Sequence, residues 1–225
     1  MKKLLIFDVY GTLISTGTSS VDSCEKILSL QDQNIDPKVF YAKLKKLHRN
    51  RINKCIENNE FMCEWDIFVE DLKELYEEYN INRPYKEDIN ILLKAQFNRK
   101  VFEDTVETIN KLKEKYRVVI GSTADTFPLI VNMIHNNLTV DKVYTSELIK
   151  TYKPDIKFYK YILDSENVDP KDACFIGDST LDDILGPKKL NITTILIYRS
   201  DNYKEEKVKP DYTIKSLKEL LVMDL

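Results

Sequence analysis

The sequence has few of the residues that build metal centres on nitrogen and sulfur. It contains two histidines, His48 and His135, and four cysteines, Cys24, Cys55, Cys63 and Cys174. No two cysteines form a C-x-x-C pair, and neither histidine stands at ligand spacing from them, which argues against zinc. A chain of this length needs no disulfides in a reducing compartment, so four free and mostly buried thiols are expected. Positive charge is not in excess either: the formal net charge is −3 and the pI is near 5.6. Nothing in that balance calls for nucleic acid or an anionic membrane. An anionic small substrate must then be held by local devices, such as one lysine or a ring of backbone N–H groups. Long apolar runs are missing. Leu4 to Phe7 follows Lys2 and Lys3 like the start of a signal peptide, but Asp8 ends it too soon. No run approaches the length of a membrane span. A cytoplasmic protein, monomer or homodimer, is expected.

Glycine is scarce: five in 225 residues, and none from Ser19 to Gln96. That stretch reads as helix. Phe40, Leu44 and Leu47 recur at helical spacing, as do Phe61, Trp65, Phe68, Leu72, Leu75, Tyr76 and Tyr79. Pro37 and Pro84 suit helix N-termini. The aromatic stripe is expected to pack these helices together, with His48 on their surface.

The rest alternates strand and helix. Lys2 to Val9 reads as a buried strand ending in a turn at Gly11. Further strands are expected at 117–122, 142–146, 173–178 and 192–198, with an edge strand at 211–214. Helices are expected at 103–116, 127–137, 155–166, 181–189 and 215–223. Asp125 is read as the N-cap of the second of these. His135 falls near the same helix's C-terminus, where a cation is favourable. Lys204 to Lys209 reads as a solvated mixed-charge stretch. The pattern implies an α/β fold, a doubly wound, Rossmann-like parallel sheet covered on both faces. The first strand cannot stand alone, so the core comprises residues 1–15 and 98–225, interrupted by an all-helical insert at 16–97.

In such a sheet, ligands bind beyond the carboxyl ends of the strands. Asp8, Ser122 with Thr123, and Asp178 all end strands, and Lys153 precedes a helix. Burying Asp8 and Asp178 side by side is costly unless a cation lies between them. Lys153 and a divalent metal are the candidates.

These segments resemble the motifs of the haloacid dehalogenase-like hydrolase superfamily. Asp8-Val9-Tyr10-Gly11-Thr12-Leu13 is similar to the first motif, Ser122 to the second and Lys153-Pro154 to the third. Gly177-Asp178-Ser179-Thr180-Leu181-Asp182-Asp183 is similar to the fourth. A helical insert after the first motif resembles the family's small cap. The resemblance implies a hydrolase with Asp8 as covalent nucleophile. Ser122, Thr123 and backbone N–H groups would hold substrate oxygens, and Lys153 would neutralise charge. Thr12 would orient the Asp8 loop. Asp8, Asp178 and the Tyr10 carbonyl would hold Mg²⁺, and Asp183 would act through Lys153 or waters.

Position 10 divides the readings. Phosphatases of the family usually carry Asp there as general acid; Tyr resembles the 2-haloacid dehalogenases, whose halide leaves without a proton. The fourth motif points the other way, because Asp178 and Asp183 belong to its metal-binding version. A dehalogenase also needs a cap arginine, for which Arg49 and Arg51 are candidates. Tyr159 fits either class. Mg²⁺-dependent hydrolysis of a small phosphorylated metabolite is the first expectation. A 2-haloacid dehalogenase is the second, and a weakly active or non-catalytic protein that binds a phosphate ligand is the third.

Overall fold

The computed structural model describes residues 3–30, 34–199 and 208–225. Its strands are β1 (Leu4–Phe7), β2 (Arg117–Ser122), β3 (Lys142–Thr145), β4 (Ala173–Gly177), β5 (Thr193–Ile197) and β6 (Tyr212–Ile214). They form one six-stranded sheet in the order β3-β2-β1-β4-β5-β6, and every neighbouring pair is parallel. All four β1 residues are completely buried, as a central strand covered on both faces requires.

Side-chain alternation sends each strand's residues to two separate cores. Leu5, Phe7, Val118, Ile120, Cys174 and Ile176 face one side. They meet Ile109 and Leu112, together with Leu129 and Met133. The first pair lies on α5 (Thr105–Lys115) and the second on α6 (Thr126–His135), once the four helices of the insert are numbered α1 to α4. Leu4, Ile6, Val119 and Phe175 face the other side, against Phe158, Tyr159 and Ile162 of the helix Ile156–Glu166. Each fully buried Leu, Ile or Phe contributes about 1.5–3 kcal/mol relative to exposure, so both faces stabilise the sheet.

The insert holds α1 (Ser19–Ser29), α2 (Pro37–Asn58), α3 (Glu64–Glu78) and α4 (Tyr85–Gln96). Phe40, Leu44, Leu72, Leu75 and Tyr76 pack there into a core distinct from those of the sheet. Helix α2 ends at Asn59 and the helix Ile156–Glu166 at Asn167, both in the left-handed region with φ of 55° and 53°. Asparagine adopts that conformation more readily than other side chains, so these helices stop without glycine.

Three local expectations are corrected. Residues 181–189 form a π-helical turn, Thr180–Leu185, followed by a short α-turn, Gly186–Lys188. The wider turn accommodates Asp182 and Asp183, which point to different partners. Residues 215–223 form only a 3-10 turn, Leu217–Leu221, closed at its start by reciprocal hydrogen bonds of Ser216 and Glu219. Asp125 makes no side-chain cap to α6. Its carboxylate instead accepts from the backbone N–H groups of Glu64 at 2.8 Å and Trp65 at 2.9 Å. A core residue thus caps α3 of the insert. Of the stretch Lys204 to Lys209, residues 204–207 lie outside the described residues.

Other contacts join insert and core. The Tyr152 hydroxyl donates to the Met62 carbonyl and accepts from the Met62 N–H, and its ring stacks on Phe61. On α6, Asn132 accepts from the Arg99 N–H and Asn136 from the Val101 N–H, which clamps the strand-like return from the insert. No helix among the described residues is long and apolar enough to cross a membrane.

Asp125→Ala is expected to destabilise the protein by about 1 kcal/mol, within the range measured for lost helix N-caps. Urea denaturation would read the loss, and hydrogen exchange should accelerate first at the Glu64 and Trp65 amides.

Candidate active site

Parallel pairing brings the ends of β1, β2 and β4 to one edge. Phe7 lies opposite Ile120 and Ile176, and the Asp8 N–H donates to the Ile176 carbonyl at 2.9 Å. Asp8 therefore emerges between Gly121-Ser122 and Gly177-Asp178. Gly11 has φ of +99°, and a Cβ there would fall on the Asp178 carboxylate; a Cβ at Gly177 would fall on Asp183. Both glycines let backbone approach a carboxylate more closely than any side chain permits.

Lys153 sits at the centre. It is 2% exposed, and its Nζ donates to Asp8 Oδ1 and to Asp183 Oδ1, each at 2.7 Å. The second oxygen of Asp183 accepts from the Ser179 N–H at 2.9 Å. Thr12 Oγ1 donates to Asp178 Oδ1 at 3.2 Å. The Asp8, Asp178 and Asp183 carboxylates offer oxygens within 4.8 Å of one another. Asp8 Oδ2 is buried and has no hydrogen-bond partner.

Three acids thus gather around one ammonium, which bonds two of them. Burial disfavours the charged form of Lys153, but Asp183 and Asp8 outweigh it and hold the lysine protonated above its ordinary range. Asp178 is exposed at the cavity, yet desolvation by its surroundings, then Asp8, pushes its carboxyl up to about 6. Burial also drives Asp183 well above the carboxylate range, against the pull of Lys153. The direction is the same for both acids: one positive charge is too little for this cluster, so it favours an extra proton or cation.

The carboxylates open on a cavity of about 390 Å³. Asp8, Tyr10, Ser122, Thr123 and Lys153 line its floor, and Lys45, His48, Arg49, Glu64 and Phe68 of the insert line its roof. Thr123 Oγ1 is buried without a partner. Arg49 forms a two-pronged ion pair with Asp182, at 3.1 and 2.5 Å, across the cavity. Arg51 does not reach it; that side chain binds Asp71 at 2.8 Å and Glu74 at 3.1 Å within the insert. His48 also departs from the surface position expected, since α2 turns it into the cavity wall. The Tyr159 hydroxyl donates to the Asp182 carbonyl beneath the π-helical turn.

Tyr10 lines the cavity, but its hydroxyl accepts from Asn132 Nδ2 at 3.1 Å, and Arg99 lies 4.5 Å from its ring centre. Burial raises its phenol to about 12, so it neither gives nor takes a proton readily at neutral pH. Lys45, Glu64 and Arg99 were not legible as cavity residues. Their only sequence signal is position, on helical faces or at the return from the insert.

The family model for haloacid dehalogenase-like hydrolase matches residues 5–197. The chain belongs to the haloacid dehalogenase-like hydrolases. It is 26% identical to (S)-2-haloacid dehalogenase 1 of Pseudomonas sp. (strain CBS-3), over 96% of this chain and 93% of that protein. It is 29% identical to (S)-2-haloacid dehalogenase 4A of Burkholderia cepacia over 57% of each chain, so that match spans little more than half of the relative. It is 36% identical to glyceraldehyde 3-phosphate phosphatase of Methanocaldococcus jannaschii over 36% of each. The L-2-haloacid dehalogenase of Xanthobacter autotrophicus has the same fold, with a TM-score of 0.82 at 16% identity, covering 98% of this chain and 97% of that one. The named relatives are mainly dehalogenases, a likeness that sides with Tyr10. This hydrolase nevertheless carries the acid cluster just described.

The raised pKa of Asp178 means that the folded, metal-free protein binds a proton the unfolded chain releases. The resulting destabilisation is absent below about pH 4 and complete above about pH 6. Asp178→Asn should therefore raise the melting temperature in chelator at pH 8 and leave it unchanged at pH 4. Thermal melts across that range check it.

Proposed function

We propose that this hydrolase is a metal-dependent phosphatase acting on a small phosphorylated metabolite through a phospho-aspartyl intermediate on Asp8. The observation that carries this reading is the surplus of carboxylate around Lys153, with Asp8 Oδ2 buried and unpartnered. Such a donor set, all oxygen and short of positive charge, suits Mg²⁺. Asp8, Asp178 and the Tyr10 carbonyl would hold the ion, and Asp183 would act through Lys153. When bound, Mg²⁺ supplies the positive charge that balances the carboxylates and a substrate phosphate.

The chain's own groups account for the rest. The Asp8 carboxylate attacks phosphorus while Lys153 keeps that carboxylate and the incoming anion together. Ser122 and the unpartnered Thr123 hydroxyl donate to phosphoryl oxygens. Water then attacks the acyl phosphate, releasing phosphate and restoring Asp8. Lys45 and Arg99 favour a substrate with negative charge beyond the reacting group, Arg49 being available only on leaving Asp182, and the cavity has room for it.

A second reading rests on its own observations. Tyr10 stands where a phosphatase of this family usually carries an acid, and the names of the relatives support a 2-haloacid dehalogenase better than a phosphatase. Asp8 would then attack carbon, and halide would leave without a proton.

Phosphate esters and 2-haloacids assayed with and without Mg²⁺ separate the two. We expect phosphate release that needs the metal and falls by on the order of 10⁴-fold or more in Asp8→Asn. Metal-independent halide release without phosphate turnover would replace the first reading by the second. Phosphate binding with no turnover of either substrate would leave a ligand-binding protein.

A further inference from the structure

A phosphatase reading leaves one role unfilled. The alcohol leaving a phosphate ester needs a proton, and the Tyr10 hydroxyl is turned to Asn132, from which it accepts. The other acids of the cavity are engaged. Asp8 and Asp183 hold Lys153, Asp178 holds Thr12, and both oxygens of Asp182 hold Arg49. Among the described residues lining the cavity, the remaining carboxyl is Glu64, at the first position of α3.

We propose that Glu64 is the proton-transfer residue of this hydrolase, supplied from the insert in place of an acid at position 10. The inference rests on the phosphatase reading. Displacement at phosphorus places entering and leaving oxygens in line, so with Asp8 on the floor the leaving oxygen faces the roof. Glu64 is a roof residue. Charged groups flank it without hydrogen-bonding to one another: Asp71, 0% exposed, lies 3.3 Å from His48 Nδ1, and His48 Nε2 lies 3.7 Å from Glu64 Oε1. Its backbone is fixed separately, since Asp125 accepts from its N–H.

The charged and titratable groups around Glu64 come from four elements: His48 of α2, Asp125 after β2, Arg99 in the return from the insert, and Tyr10 after β1. Burial raises the Glu64 carboxyl, His48 lowers it, Asp125 raises it and Arg99 lowers it; the outcome is upward. A raised carboxyl keeps a larger protonated fraction as pH approaches neutrality, which suits an acid.

Atoms balance in two steps. Asp8 forms a bond to phosphorus as the ester P–O bond breaks, and the Glu64 proton passes to the departing oxygen, giving the alcohol. The Glu64 carboxylate then takes a proton from water as that water's oxygen bonds to phosphorus and the bond from the Asp8 oxygen to phosphorus breaks. Phosphate leaves, and both carboxyl groups return to their starting states.

The test compares an alkyl phosphate, glycerol phosphate, with an activated aryl ester, p-nitrophenyl phosphate, in wild type, Glu64→Gln and Glu64→Asp, all with Mg²⁺. The Gln variant keeps the backbone link to Asp125, and thermal melts confirm its fold. For Glu64→Gln we expect kcat on the alkyl ester to fall by about 10²–10⁴-fold. The first turnover of the aryl ester should change far less, followed by slow turnover with phosphate retained on Asp8 and visible by mass. Glu64→Asp should restore part of the alkyl activity. Wild-type alkyl turnover in Glu64→Gln, or equal slowing of both first turnovers, overturns the role of Glu64 alone. A wild type that hydrolyses no phosphate ester overturns the phosphatase reading and this role with it.

Discussion

The buried ammonium of Lys153 between Asp8 and Asp183 is the interaction on which the site depends. Asp8 closes the first strand and Asp183 lies in the turn after β4, so the lysine joins segments 175 residues apart in sequence. Removing the cation would leave carboxylates buried side by side, among the most costly arrangements a protein interior can hold. The parallel sheet makes the arrangement possible. It delivers three strand ends to one edge, and Gly11 and Gly177 leave room for the carboxylates there.

Lys153 also sets the electrostatic demand of the cavity. One positive charge facing three acids leaves the cluster hungry for another, and the unpartnered oxygen of Asp8 shows where the shortage is felt. That demand separates this chain from its likeness to dehalogenases. The likeness rests on Tyr10 and on the named relatives; the demand rests on the three carboxylates gathered around Lys153. Both features lie in one cavity.

Docking of the insert decides what that cavity can do. Asp125 caps α3, Arg49 pairs with Asp182, and Asn132 and Asn136 clamp the return at Arg99 and Val101. Together these contacts hold the insert and its return against the edge of the sheet. Glu64, His48, Arg49 and Arg99 thereby enter a space that the sheet alone would leave open. The roof consequently mixes charged side chains with apolar ones such as Leu44, Phe68 and Leu92.

The sheet and the floor of the site were legible because local rules govern them. Apolar runs ending in Asp8, Ser122 and Asp178 specify buried strands, and the rule for parallel sheets puts their ends together. The glycine-free helical block was equally plain from its periodicity. Failures came where a residue's partner lies far along the chain. Asp125 looked like the cap of the helix that follows it, yet it caps a helix some 60 residues earlier. Arg51 and Arg49 looked equivalent, but two residues on a helix project about 200° apart, so one meets Asp182 and the other meets Asp71. His48 and Glu64 carried no motif at all. By itself, then, the sequence located Asp8, Lys153, Asp178 and Asp183 at one edge of the sheet, since each is tied to a strand end or a short motif. Only the tertiary structure decided which side chains face Asp8 from above, because that choice depends on how two separately packed units meet.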